Sequence, residues 1–187
     1  MTQKALLLWT AATLIHAQTP TGKNNAVPTL TVCQALVSAG TYDGQVVRLR
    51  DTKSETSEGG WLEGTSCPGA VVTDGFVWPS VVFLQTSRAG VFRLHKSEIT
   101  YDLASEERAS QKYARLKARL PDRCIRWTYI GMFETRQDWS QSKLTYADGT
   151  SKFAGFGHLG YAPAQIIVRS VEDVEQIANC NTTDRGK

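Results

Sequence analysis

The apolar positions of this chain fall into short runs with two different periods. Between Thr31 and Ala39, Val32, Leu36 and Ala39 share one helical face and Gly40 follows as a stop, which predicts a short helix. Asp43-Gly44 reads as a turn. From Gln45 to Asp51 the period drops to two. Val47 and Leu49 fall on one face and Arg48 and Arg50 on the other, as in a half-buried strand. The polar stretch from Lys53 to Gly60 reads as a loop or hairpin tip, with Trp61 to Ser66 as its return strand and Cys67-Pro68-Gly69 as the break. Val81 to Gln85 is a compact apolar strand behind the turn-like Trp78-Pro79.

The longest helix is predicted from Asp102 to Leu120, where Leu103, Ala109, Tyr113, Leu116 and Leu120 recur at helical spacing. Glu106 and Glu107 lie near its start and Arg115, Lys117 and Arg119 near its end, which complements the helix dipole. Pro121 stops it. Ile125 to Glu134 alternates, with Ile125, Trp127, Tyr129 and Phe133 on one face, and Gly131 predicts a bulge or sharp bend. Arg136 to Lys152 is polar, with turn chemistry at Asp148-Gly149. Gln165 to Val171 is a β-branched strand, and Val174 to Cys180 a short closing helix or tail. Three strands, a helix and two strands behind a short N-terminal helix predict a mainly β fold. The expected form is an OB-fold-like β-barrel with one long helix between strands three and four. The rival is an α+β sandwich with a helix packed on an antiparallel sheet.

The first residues follow another pattern. Lys4 is the only charge before Lys23, and an apolar run from Ala5 to Ile15 leads into His16-Ala17-Gln18. That is the pattern of a secretory signal cut after Ala17. The run is shorter than the roughly 20 residues a bilayer span needs, and no cysteine stands near the cut to carry a lipid. The expected organisation is a signal peptide over 1–17, a flexible lead-in over 18–30, one domain over 31–180 and a tail over 181–187. The protein is expected to be exported, to the periplasm or as a secreted chain.

Composition adds limits. Apolar residues make 41% of the chain and charged residues 21%, enough to build a core. The net charge of +3 is too mild to argue for nucleic acid, and no later stretch is long and apolar enough to span a membrane. Cys33, Cys67, Cys124 and Cys180 all follow the signal, and an even number in an exported chain predicts two disulfides. Three connectivities are open, and Cys33–Cys67 with Cys124–Cys180 is the first expectation. Single, scattered cysteines lack the close paired spacing of zinc sites, so no metal is expected, and no motif calls for a cofactor.

Thr31-Val32-Cys33-Gln34-Ala35-Leu36, followed by Tyr42-Asp43-Gly44-Gln45-Val46-Val47-Arg48-Leu49-Arg50, resembles the opening of exported OB-like proteins of bacteria. In these a short helix leads through a Tyr-x-Gly-x-x-Val turn into the first barrel strand. Ser66-Cys67-Pro68, Trp78-Pro79 and Gly155-Phe156-Gly157-His158-Leu159 are similar to further elements of that uncharacterised group. The resemblance runs from about Thr31 to Val174. It implies a fold and a compartment, and no mechanism.

Candidate chemistry is sparse. Gly155-Phe156-Gly157-His158-Leu159-Gly160 precedes a strand instead of opening a helix, so it is no dinucleotide fingerprint. In an OB-like fold it falls between strands four and five, where such folds bind ligands. His158, Gly155 and Gly157 are therefore candidate ligand contacts. Trp139 and Trp61, in or beside polar loops, are candidate exposed aromatics. The plainer reading is that the glycines serve a bend. Arg108, Lys112, Arg115, Lys117, Arg119, Arg123 and Arg126, against Asp122 alone, form a basic stripe that reads best as a solvated helix face. Trp127 and Tyr129 read as core. No Gly-x-Ser-x-Gly elbow occurs, and His95 and His158 are the only histidines after the signal, so no catalytic residue is assigned. The expected function is a non-enzymatic binding or accessory module of the cell envelope, with another envelope protein or a small ligand as partner. The alternatives are a small secreted hydrolase using His158 with a carboxylate such as Asp138, and a purely structural envelope protein.

Overall fold

The computed structural model describes residues 26–57, 59–64, 67–68, 71–73, 75–86, 91–94, 97–135, 143–145, 147–157, 160–178 and 180. The chain enters with β1 (Thr29–Leu30), α1 (Val32–Val37) and α2 (Ala39–Tyr42). Next come β2 (Val46–Thr56), β3 (Gly59–Glu63), β4 (Val72–Thr73), β5 (Phe76–Val77), β6 (Val81–Gln85), β7 (Val91–Leu94) and β8 (Ser97–Thr100). Then follow α3 (Leu103–Lys117), a 3-10 turn at Asp122–Cys124, β9 (Ile125–Thr135), β10 (Lys143–Thr145), β11 (Ser151–Phe153) and β12 (Ala164–Gln176). The signal peptide, the lead-in up to residue 25 and the tail over 181–187 lie outside the described residues.

The protein is mainly β. A six-stranded mixed sheet runs in the order β1-β2-β3-β6-β12-β9, and β9 also pairs with β2. The β2–β3, β3–β6, β12–β9 and β2–β9 pairs are antiparallel, while β12–β6 and β1–β2 are parallel. The period of two places one set of side chains inward. Val47 and Leu49 of β2, Leu62 of β3, Val82 and Leu84 of β6 and Ile166 and Val168 of β12 all join one core. Ile125, Trp127, Tyr129 and Phe133 of β9 join it as their spacing predicts. Arg48 and Arg50 point the other way, where they pair with Glu172 and Glu175 of β12.

Several elements depart from the sequence pattern. The first helix breaks at Ser38, and Gly40 sits inside the short α2 instead of ending α1. The polar stretch after Asp51 stays extended, because Thr52 to Thr56 find ladder partners from Glu63 back to Gly59. Thr29 and Leu30, at the end of the stretch read as lead-in, pair in parallel with Arg48 and Leu49. Three small hairpins, β4–β5, β7–β8 and β10–β11, occupy segments that carry no clear period. The third lies in the polar stretch read as a loop, and its turn holds the expected Gly149 at φ +81°. Val174 to Gln176 extend β12 and form no helix, since they face Trp127 to Ile125 across the ladder. The irregularity predicted at Gly131 lies on the neighbouring strand. β12 shifts register between Val168 and Ser170 and again between Val171 and Asp173. Gly131 itself allows a close approach, since a Cβ there would stand 2.2 Å from the Ile167 carbonyl oxygen.

α3 packs on β12. Asp102 caps it, accepting from the Ser105 N–H at 3.1 Å. Ala109 and Leu116 are buried, but Leu103, expected on the same face, is 56% exposed at the first helical position. Ser105 takes the inward place. Its hydroxyl donates to the Asp102 carbonyl at 2.6 Å and accepts from the Val171 N–H at 2.9 Å. Asp102 N–H donates to the Arg169 carbonyl at 2.8 Å. β6 pairs with β12 only from Ala164 to Ile167. Beyond that point the start of α3 satisfies polar groups of the strand edge that β6 leaves open.

Two disulfides close the ends. Cys33–Cys67 joins α1 to the chain after β3, and Cys124–Cys180 joins the turn before β9 to the chain after β12. Gly64 sits against the first; a Cβ there would come within 2.6 Å of Cys67 Sγ and 2.9 Å of Cys33 Sγ. α1 opens with a capping box, Thr31 with Gln34, and the Val32 N–H donates to the Asp51 carboxylate at 3.1 Å. Burial raises the Asp51 pKa above the ordinary carboxylate value, against the lowering effect of its bonds from Val32 and Thr52 and of the nearby Arg126 charge.

Reduction should add the mass of four hydrogens to the intact protein. Replacing Cys33 and Cys67 together by Ala should cost about 4 kcal/mol, the chain-entropy value for a loop of this length, read as a lower urea midpoint. For Asp51 the native state holds the proton to higher pH than the unfolded chain. Its contribution is therefore full below the ordinary carboxylate pKa and declines as pH rises through the native one. Asp51→Asn keeps an acceptor for Val32 and should flatten that part of a plot of urea midpoint against pH.

Candidate functional site

The glycine-rich segment before β12 turns back on itself. Gly155 N–H donates to the Gly160 carbonyl at 2.8 Å, and Phe156 and Ala162 form an antiparallel bridge. Gly157 and Gly160 hold φ of +76° and +63°. Each glycine also permits a contact. A Cβ on Gly155 would stand 2.0 Å from the Ala162 carbonyl oxygen, and one on Gly157 would stand 2.5 Å from Phe83 Cδ2. The Gly157 backbone thus lies against the Phe83 ring, and Gly59 approaches the same ring from the hairpin between β2 and β3. His158 and Trp139 lie outside the described residues, as do His95 and Asp138.

Trp61 is half-buried within β3, directly across from Phe83, and its indole N–H donates to the Glu63 carboxylate at 2.8 Å. Trp61 stands in the return strand expected there, which begins two residues earlier, at Gly59. The next outward positions across the sheet are Gln165 and Glu134, both buried, where Gln165 Nε2 donates to Glu134 Oε2 at 2.6 Å.

The structure gathers a second group that the sequence left scattered. An open cleft of about 400 Å³ lies between the end of β2, the last turns of α3 and the turn before β9. Trp127 forms its floor, only 4% exposed, with the Tyr113 ring 5.1 Å away between centroids. Lys53 Nζ sits 4.8 Å from the centre of the Trp127 ring and pairs with Glu55 at 2.5 Å. Lys117 Nζ lies 5.3 Å from the Tyr113 ring centre and donates to the Tyr113 hydroxyl at 2.9 Å and to Asp122 at 3.1 Å. The Tyr113 hydroxyl in turn donates to the other Asp122 oxygen at 2.7 Å.

Tyr113 and Lys117 are shifted in the direction that keeps their protons. Burial, ahead of the contact with Asp122, pushes the Tyr113 phenol upward, so it stays a neutral donor and acceptor. The bond to Tyr113, followed by that to Asp122, raises the Lys117 ammonium well above the ordinary lysine value. Lys53 and Glu55 belong to a stretch that read as loop, and Tyr113, Lys117 and Asp122 to a helix face and its stop. Two signals were present in the sequence: the i, i+4 spacing of Tyr113 and Lys117, and Asp122 as the sole acid of the basic stripe. Of that stripe, Arg108 pairs with Asp102, Lys112 with Asp173 and Arg126 with Glu175. With the Lys117–Asp122 pair, four of the seven basic residues have carboxylate partners, which interrupts the band.

If close packing is what requires glycine at 157, Gly157→Ala should destabilise by roughly 1–3 kcal/mol through overlap with Phe83 and the positive φ. A double-mutant cycle with Phe83→Leu, read by urea denaturation, should show the two costs to be less than additive.

Comparison with protein-family models, with curated proteins and with solved structures finds no match to this chain.

Proposed function

We propose that the protein is an exported, non-enzymatic binding module of the cell envelope, built on an OB-like barrel, with the Lys53–Tyr113–Trp127 cleft as its ligand site. The observation that carries the reading is that cleft. Two ammonium–carboxylate pairs, a neutral phenol and an indole, drawn from distant parts of the chain, line one open space. Pockets that bind small ligands begin at about 300 Å³ and set a few polar groups on aromatic walls.

The order of pairings supports the barrel. Taken in chain order, β2, β3, β6, β9 and β12 pair so that the last strand inserts between the third and fourth, and the fourth returns to the first. That arrangement suits a five-stranded Greek-key barrel, in which the loop joining the first two strands commonly contacts ligand. Lys53, Ser54 and Glu55 lie on the approach to that hairpin. The two disulfides are compatible with export. Among the described residues no helix is long and apolar enough to cross a membrane.

The test is made on protein recovered from the envelope or medium, whose mass should place its first residue at Gln18. Titration with a mixture of glucose, sodium phosphate and sodium acetate, followed by NMR, should move the signals of Lys53, Tyr113 and Trp127 saturably. Lys53→Gln should weaken that response by roughly tenfold, the usual cost of a lost charged hydrogen bond. A chain retained in the cytoplasm removes the export reading. Cleft signals that do not move remove the binding reading.

A further inference from the structure

We infer that the cleft between β2 and α3 takes a neutral, hydroxyl-rich ligand, a sugar ring or the end of a glycan, in preference to an ion. The inference rests on the cleft being the ligand site proposed above and adds the class of ligand.

Charge is the first argument. Each ammonium in the cleft already has a carboxylate partner, Lys53 with Glu55 and Lys117 with Asp122. An entering anion gains from two cations and loses to two anions. An entering cation meets the same balance with the signs reversed. A ligand without charge pays neither repulsion, and it exploits what the pairs leave unused.

Hydrogen-bond capacity is the second. An ammonium has three donors. Lys117 spends two on Tyr113 and Asp122, and Lys53 spends one on Glu55. The carboxylates of Glu55 and Asp122 keep free lone pairs in the same lining. Donors and acceptors therefore alternate around the space. A vicinal diol, in which each hydroxyl both donates and accepts, matches that alternation; a carboxylate only accepts, a phosphate mostly accepts, and an ammonium only donates.

The aromatic groups narrow the class further. The ammonium of Lys53 lies over Trp127 and that of Lys117 over Tyr113. A flat apolar ligand would have to displace these cations to stack. A polyol can bond to them where they stand. The cleft, at about 400 Å³, is near the lower end for ligand pockets and suits one ring with its water.

The experiment separates the mixture into arms. The exported protein is titrated with glucose and N-acetylglucosamine, and separately with sodium phosphate and sodium acetate, with NMR signals of Tyr113, Lys117 and Trp127 as the readout. A sugar should shift them saturably, with an affinity that changes less than about twofold when salt is raised past the range that screens exposed charges. Asp122→Asn supplies a test of sign. It removes one acceptor charge, so it should weaken sugar binding by roughly tenfold, whereas an anion site would bind phosphate more tightly after the same change. Glu55→Gln, which leaves the Tyr113–Lys117–Asp122 triangle intact, repeats the test of sign if Asp122→Asn fails to fold. Phosphate or acetate shifting the cleft while both sugars leave it unmoved would overturn the ligand class and leave the cleft as a binding site. Silence in every arm would overturn both.

Discussion

Gly131 stands where β9 is paired on both edges. Val47 of β2 lies opposite it on one side and Val168 of β12 on the other. The Ile167 carbonyl comes so close that a methyl group at 131 would overlap it. Only a glycine lets β12 come so close to that point of β9. Much else follows from the double pairing of β9. β2 and β12 are drawn together across β9, which brings Arg48 and Arg50 of one against Glu172 and Glu175 of the other. These ion pairs are partly exposed and each contributes little by itself. Their place on the outer face leaves the inner face to the apolar side chains.

β12 is the other organising element, because its two edges have different partners. β9 follows it along its whole length, and β6 leaves it after Ile167. α3 begins at that point. The Asp102 N–H and the Ser105 hydroxyl meet the strand's exposed carbonyl and N–H at Arg169 and Val171. A serine therefore occupies the inward place that the helical period assigned to Leu103. The helix is docked at its start by hydrogen bonds and further along by Ala109 and Leu116. This docking carries Tyr113 and Lys117 to the end of β2, where Lys53 lies over Trp127. The cleft is a product of where the helix begins.

The glycine-rich segment has a physical role in the packing whatever else it does. Its backbone lies on the rings of Phe83 and Trp78, and the glycines at 155 and 157 permit both contacts. A backbone set so closely on two aromatic rings holds the chain entering β12 in register with β6. The segment and the cleft are assembled from separate parts of the fold, the first from β6, the second from β2 and α3.

The sequence by itself determined the local elements whose period is strong. The core faces of β2 and β9, the compact β6 and the body of α3 were all legible, because burial on one face writes a repeat of two or 3.6 into the residues. It also allowed the cysteine pairing that the fold adopts, as one of three. Only the tertiary structure decided the rest. The strand over Thr52 to Thr56 exists because Gly59 to Glu63 pair with it, and nothing in its own polar side chains announces that. Lys112 and Arg126 of the basic stripe pair with Asp173 and Glu175, about 50 to 60 residues further along the chain, and that part of its charge could not be read locally. The cleft residues come from β2, α3 and the turn before β9, each with an ordinary local explanation. Their common chemistry appears only once α3 is docked on β12, because a binding site is a relation between distant side chains and periodicity reports only near ones.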